Sequence, residues 1–361
     1  MLRTVVPKLC CPSCRDRNRF LTAQAFVEGT EGHIQNGVLI CEGCSSWYPI
    51  EDDLLEFVTS ALRDPDNHQD FGARFRRQLE RLNLSTSGQQ DMVGKGVREQ
   101  ATIGESQSDE TFGAQLEQRQ LFDWYAENAR LSYATYHNSP FWVAADQVAF
   151  RRWRARLRPN TYLLDVGCAD GRSTFPLVNT TNTVVGCDIS RKMVRKAVGR
   201  AKELGVHGRT SFMVADAADL PFRYGCFDYV FTYGVLHHLP DPGRTCRKIE
   251  RILGSGGIHF GSENNRSAFR WLFDLLMKLK PLWTEKAGTE PLISEHMIRE
   301  WTRSLSVKIN CSTSVFLPPH LFNLLGRQIA GPVLVATDRF MSFVPGLRRQ
   351  GGLILFEIQK C

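Results

Sequence analysis

Four thiols and a series of acids at strand ends are the groups in this chain best placed to do chemistry. Cys11-Pro12-Ser13-Cys14 and Cys41-Glu42-Gly43-Cys44 form two C-x-x-C knuckles, with residues 15–40, 26 in all, between them. Each knuckle offers two thiolates from one tight turn, and four thiolates in paired knuckles suit a tetrahedral structural Zn2+. A redox dithiol would need one knuckle only. Disulfides would need an oxidising compartment, and Met1-Leu2-Arg3-Thr4-Val5-Val6-Pro7 is too short in apolar length for a secretion signal. So small a segment lacks a core of its own, so the metal would supply much of its folding free energy. Cys10 falls outside the spacing and is not read as a ligand.

The acids come next. The run Tyr162 to Leu164 meets Asp165, and a turn follows with Gly167, Ala169 and Gly171 at alternate positions. A parallel strand ends this way in a tight loop that opens a helix and lets backbone approach a ligand. A second apolar run, Thr183 to Cys187, ends in Asp188, 23 positions after Asp165 (188 less 165). An acid there is placed to accept hydrogen bonds from both ribose hydroxyls of a nucleoside. Ser211 to Ala215 reads as a third strand ending at Asp216, and Phe227 to Tyr233 as a fourth. A helix, a Gly256-Gly257 turn and a fifth strand, Ile258 to Phe260, complete the series. The alternation has the pitch of βαβ units. His237 and His238 follow the fourth strand, at the carboxyl edge where ligands bind in such folds. One of them is the candidate base or substrate-positioning group; capping or packing the next helix is the other reading of His238. A nicotinamide dehydrogenase would want G-x-G-x-x-G spacing, which this turn lacks.

LLDVGCADG, VVGCDIS, VADAADLPF, FDYVFTYGVLHHLPDP and the Gly-Gly turn together resemble the small-molecule-type branch of the class I S-adenosylmethionine-dependent methyltransferases. The likeness is close over residues 150–262 and loose beyond. It implies an α/β fold: a Rossmann-like seven-stranded sheet with helical insertions. It also implies roles: Gly167, Ala169 and Gly171 around the methionine moiety, Asp165 ordering that loop, Asp188 on the ribose, and Ile189 against adenine. Asp216 would meet the adenine amine, with the amide of Ala217 beside it. Ala169 stands where the family has its middle glycine. His238 aligns with the histidine of the family's Leu-x-His-Leu pattern, and His237 fills the variable slot. Quinone-type O-methyltransferases place glutamates with this histidine to bind magnesium; Gly234 and His237 stand at those positions, so no catalytic metal of that kind is expected.

The knuckles have their own likeness. Leu9 to Cys14, Leu39 to Cys44 and Trp47-Tyr48-Pro49-Ile50-Glu51-Asp52 resemble the zinc-ribbon family that includes the small activator subunit of certain tRNA, rRNA and protein methyltransferases. In that family the ribbon covers a hydrophobic face of the catalytic subunit. A covalently fused ribbon is expected to do the same.

Composition sets the frame. The 361 residues have 42% hydrophobic content and a net charge of +7, a moderate basic excess rather than that of a dedicated nucleic-acid binder. No apolar run reaches the length of a membrane span, and scattered cysteines point to a reducing, cytoplasmic setting. The sequence predicts a zinc ribbon over 1–60, a linker over 61–120, and a catalytic domain over 121–361 with apolar insertions near 265–292 and 318–350. In the linker, Asp70 to Leu84 has helical apolar spacing and Ser85 to Glu110 reads as flexible. Thr111 to Ala134 reads helical and is expected near the cofactor loop, with Tyr133 or Tyr136 at the methionine end or simply packed. Arg74, Arg76, Arg77 and Arg81, and Arg151, Arg152, Arg154, Arg156 and Arg158, read either as phosphate patches or as solvated helix faces. Ala268 to Trp283 and Leu321 to Val344 are apolar segments expected to roof a substrate site. They point to a small hydrophobic, lipid-like or natural-product acceptor methylated on O, C or N, to contact with a membrane surface, or to plain burial. The alternative acceptor is tRNA or rRNA, held by the ribbon and the arginines.

Overall fold

The structure, a computed structural model, describes residues 1–14, 19–59, 62–85, 105–128, 138–282 and 291–361. The strands are β1 (Leu21–Glu28), β2 (Ile34–Cys41), β3 (Trp47–Glu51), β4 (Leu54–Glu56), β5 (Tyr162–Val166), β6 (Thr183–Asp188), β7 (Thr210–Val214), β8 (Phe227–Tyr233), β9 (Leu253–Asn264), β10 (Val307–Ser314) and β11 (Leu353–Lys360). The α-helices are α1 (Pro65–Arg74), α2 (Arg76–Arg81), α3 (Glu105–Glu127), α4 (Pro140–Arg154), α5 (Arg191–Glu203), α6 (Pro242–Ile252), α7 (Arg270–Leu279), α8 (Glu295–Trp301), α9 (Pro319–Leu324) and α10 (Arg327–Ser342). The chain divides into two compact units: Met1–Asp123 with Cys168–Cys226, and Trp124–Gly167 with Phe227–Cys361. β5 to β11 are the seven strands of the expected fold, β6 and β7 in the first unit and the other five in the second.

In the first unit the strands run β1-β2-β3-β4-β7-β6. β1 to β4 pair antiparallel in succession. β4 then lies parallel to β7, with Leu54 opposite Phe212, Leu55 opposite Met213 and Glu56 opposite Val214. β6 and β7 are also parallel, and their nearly unbroken burial is that of strands covered on both faces. The cysteine segment therefore joins the strands of the expected enzyme through a backbone ladder.

The core which so small a segment cannot build comes from the chain that follows it. Trp47, fully buried, and Val38 pack with Phe71, Phe75 and Leu79. Asp64 starts α1: its carboxylate accepts from the amides of Asp66 (3.1 Å) and Asn67 (3.4 Å), and Pro65 takes the first helical position. The helical spacing of Asp70 to Leu84 is realised as two helices broken at Phe75, whose φ is −111°. Leu54 and Val58 also pack with Val194, Val198 and Phe212. Arg191, buried at the start of α5, donates to Glu51 at 2.6 Å and Glu56 at 2.8 Å. A buried guanidinium needs such partners, since its desolvation is otherwise uncompensated.

In the second unit the strands run β5-β8-β9-β11-β10. β5, β8 and β9 are parallel, while β11 is antiparallel to both β9 and β10. β9 begins at Leu253 rather than at Ile258, because Gly256 (φ +71°) lets the backbone bulge and the strand resume. Phe141, Ala145 and Val148 of α4 pack against Phe322, Ala330 and Leu334. Ser294 caps α8, accepting from Met297 N at 3.3 Å. Helices α9 and α10 fall between the last two strands. No helix of the described residues is long and apolar enough to cross a membrane.

Candidate cofactor, metal and proton-transfer sites

The four knuckle cysteines converge. Cys11 Sγ lies 3.7 Å from Cys44 Sγ, and Cys14 Sγ lies 3.6 Å from Cys41 Sγ. A tetrahedral Zn2+ with bonds of about 2.3 Å holds its sulfurs about 3.8 Å apart, so the donor set fits that ion. Surrounding groups hold the thiols in place. Tyr48 Oη is 3.1 Å from Cys11 Sγ and donates to Ser13 Oγ at 2.8 Å, and the Gly43 amide donates to Cys41 Sγ at 3.3 Å.

In the first unit, Ala169 has φ +45° and Gly171 φ +86°. A Cβ on Gly171 would stand 2.4 Å from the Phe175 ring, which reserves that position for glycine. Ala169 takes the left-handed conformation despite its methyl group, at a cost of about 1–2 kcal/mol. Its amide donates to Asp188 Oδ2 at 2.9 Å, and the Ser190 amide donates to Oδ1 at 2.9 Å. Asp188 keeps part of its surface accessible but sits deep enough that lost hydration pushes its carboxyl up to about 6, with Asp123 adding to the rise. Asp216 Oδ1 accepts from the Ala218 amide at 2.8 Å, and Oδ2 from Gln115 Nε2 at 2.7 Å. Asp123 accepts from Ser190 Oγ at 2.6 Å. Through Gln115 and Asp123, α3 reaches the residues just beyond β6 and β7. Ile189 and Ala217 lie beside these acids in the chain. Tyr133, Tyr136 and most of the segment read as flexible lie outside the described residues.

In the second unit, Asp165 is fully buried near the end of β5. Gly167 has φ +72°, and a Cβ on it would stand 2.4 Å from Val235 Cγ2. Beyond β8, Gly234 (φ +67°) leads into a short 3-10 turn, Leu236–His238. His237 is buried there, its Nδ1 2.6 Å from Glu263 Oε2. The other oxygen, Glu263 Oε1, accepts from the amides of Val235 (3.0 Å) and Leu236 (2.8 Å). With Glu263 ionised, Nδ1 donates to it, and a neutral ring then carries its lone pair on Nε2. Such a pairing would orient His237 for a role as base. His238 is half-buried beside it, with ring centroids 4.0 Å apart. Glu263 was not among the residues the sequence singled out, because the fifth strand was read to end at Phe260. Its signal is the same as that of Asp165, Asp188 and Asp216: an acid at the carboxyl end of an apolar strand.

The arginines around α4 are engaged within the fold. Arg152 donates to Ser312 Oγ, Arg154 to Phe150 O and Arg156 to Glu357, at 3.0, 3.3 and 3.0 Å. Arg158 donates to Tyr229 Oη at 3.3 Å.

Residues 164–261 match the family described as methyltransferase domain, and residues 7–53 match the Trm112p-like proteins. Over 102 residues the chain is 37% identical to 27-O-demethylrifamycin SV methyltransferase of Amycolatopsis mediterranei, covering 28% of this chain and 38% of that one. Over 150 residues it is 31% identical to the Bos taurus protein named Probable tRNA methyltransferase 9B, covering 40% of this chain and 29% of that one. These curated relatives are matched over less than half of their own length. A solved complex between the Haloferax volcanii Trm112 methyltransferase activator and a methyltransferase aligns with 66% of this chain and 96% of that one, at 20% identity and a TM-score of 0.45. Residues 164–261 are thus a segment of the methyltransferase-domain family, and a Trm112p-like segment precedes them in the same chain.

Proposed function

We propose that this protein transfers a methyl group from S-adenosylmethionine to a small hydrophobic, lipid-like or natural-product acceptor, with His237 as the base. The domains follow as a ribbon over 1–60, a linker over 61–120 and a catalytic domain over 121–361. The observation that carries the reading is the His237–Glu263 pair at the carboxyl ends of β8 and β9. Bound S-adenosylmethionine supplies an electrophilic sulfonium methyl group. Asp188 accepts from the ribose hydroxyls with Ile189 beside adenine, and Asp216 with Ala217 reads the adenine edge. Asp165, Gly167, Ala169 and Gly171 shape the loop at the methionine end. His237 Nε2 would take the proton of an acceptor O–H, N–H or acidic C–H as the acceptor's electron pair bonds to the methyl carbon, the S–CH3 bond breaking with its electrons left on sulfur as S-adenosylhomocysteine, and Glu263 would steady the imidazolium that results. His238 is the second histidine of this site and sets the position of the acceptor. Cys11, Cys14, Cys41 and Cys44 hold a structural Zn2+.

An RNA acceptor is the second reading, supported by the Trm112p-like segment and by the tRNA-methyltransferase name of one relative. The deciding experiment incubates purified protein with methyl-labelled S-adenosylmethionine and, separately, total RNA and a lipid-soluble cell extract. Label in the extract supports the first reading, and label in RNA replaces it with the second. For the ribbon, Cys14→Ser should abolish metal binding measured by elemental analysis. One zinc per chain in that variant would remove Cys14 from the ligand set.

A further inference from the structure

Large apolar side chains stand exposed mainly in one stretch of the second unit. Of the fourteen large hydrophobic residues exposed among the described ones, ten lie between Phe269 and Phe343. On α7, Trp271, Leu275 and Leu279 recur at the i, i+4, i+8 spacing of one helical stripe, and they are 64%, 46% and 74% exposed. None of the ten residues of α7 is buried. Leu324, Phe340 and Phe343, on and just after α9 and α10, are 77%, 68% and 75% exposed. The two insertions touch: His320 Nε2 lies 2.8 Å from the carbonyl oxygen of Lys280, joining the start of α9 to the residue after α7.

The same two segments are basic. Residues 266–280 carry Arg266, Arg270, Lys278 and Lys280 against Asp274, a net of +3. Residues 318–350 carry Arg327, Arg339, Arg348 and Arg349 against Asp338, again +3, and Asp338 is buried on Ser314 and the Val315 amide. A net of +6 over these two segments thus accompanies their exposed apolar residues.

We propose that this face seats the protein on an anionic lipid bilayer, with α7 lying in the interface. Aromatic and aliphatic side chains beside lysines and arginines are what such a boundary takes up: the apolar tips enter the acyl region, and the cations reach the headgroups. Charge selects this occupant. A second copy would set one +3 pair of segments against another, and like charges at a contact oppose association. The surface is independent of the acceptor, so its failure would leave the methyl-transfer reading standing.

The test is co-sedimentation of the full chain with vesicles of phosphatidylcholine alone and of phosphatidylcholine with about one third phosphatidylglycerol, with size measured in parallel. Expected is at least about tenfold stronger binding to the anionic vesicles, weakening as salt rises. Trp271→Ser with Leu279→Ser should remove binding to both vesicles. Lys278→Glu with Lys280→Glu should abolish the anionic preference while leaving the thermal unfolding midpoint in place; all four side chains lie on an exposed helix or just beyond it. Equal or absent binding to both vesicles overturns the proposal. So does a wild-type dimer that the Trp271 variant converts to monomer, since a second copy would then be the occupant.

Discussion

Asp188 and Glu263 are the same device put to opposite uses. Each is a carboxylate at the end of a parallel strand, and each accepts two loop amides. Asp188 gives one amide to each oxygen, at 2.9 and 2.9 Å, and stays partly accessible. Glu263 gathers both amides, at 3.0 and 2.8 Å, on one oxygen, and its other oxygen meets His237 at 2.6 Å. With 1% exposure, Glu263 has no face left for a ligand. In the proposed reading, the spare acceptor capacity of Asp188 serves a ligand that comes and goes. That of Glu263 is filled by a side chain of the protein itself. A strand-end acid therefore announces a polar task, and only the arrangement of its amides says whether that task is to bind a ligand or to orient a neighbour.

The comparison is best broken at Glu263. Glu263→Gln keeps the shape but offers His237 an amide that can donate where a carboxylate only accepted. Turnover with an identified acceptor should fall about 10²–10⁴-fold, with cofactor affinity unchanged by calorimetry. A variant that loses affinity rather than turnover would make the pair a cofactor-binding element. Asp188→Ala should do the reverse, weakening S-adenosylmethionine binding by about 1.5–3 kcal/mol, the scale of a hydrogen bond to a charged group. Unchanged affinity would take Asp188 out of the site.

Acidity sharpens the contrast further. The Asp188 carboxyl is pushed up to about 6 by its buried setting, and ribose hydroxyls donate best to the ionised form. Affinity should be flat above about pH 7 and fall towards tenfold per unit below about 6, a dependence that Asp188→Asn should flatten. For stability the sign is opposite. A folded pKa above the ordinary 3.8 favours the protonated protein, so this group's contribution is full below about 4 and is lost as pH rises through about 6. The smallest effect belongs to Ala169→Gly, which relieves a positive φ and should raise stability by no more than about 1 kcal/mol in thermal melts, once the added freedom of the unfolded chain is offset. A destabilised variant would mean that the methyl group is packed rather than tolerated.

How much of this was legible beforehand follows from the range of each interaction. The strand-end acids, the glycine-rich turn and the cysteine knuckles are written within a few residues each, so spacing alone exposed them. Thr210 to Val214 and Phe227 to Tyr233 were located almost to the residue, since buried parallel strands are continuous apolar runs. Glu263 escaped because its partner lies 26 positions away and no local pattern links them. Gln115 escaped for the same reason: its contact with Asp216 spans 101 positions, on a helix whose sequence marks no such role. What completes the ribbon's core was hidden for want of the same long-range information. Its Trp47 is sealed by Phe71 and Phe75, which lie beyond the boundary drawn by the cysteines.

The pairing of β4 with β7 has a consequence for anyone who cuts the gene. β7 is flanked by β6 on one side and by the ribbon's last strand on the other. Remove residues 1–60 and the amides and carbonyls of Phe212 to Val214 become an open rim of apolar sequence, the kind of edge that recruits other chains into aggregates. The ribbon is then less an accessory than a stopper. A catalytic segment expressed without it should come out of the cell as inclusion bodies, and adding the ribbon back as a separate polypeptide during synthesis should return it to the soluble fraction.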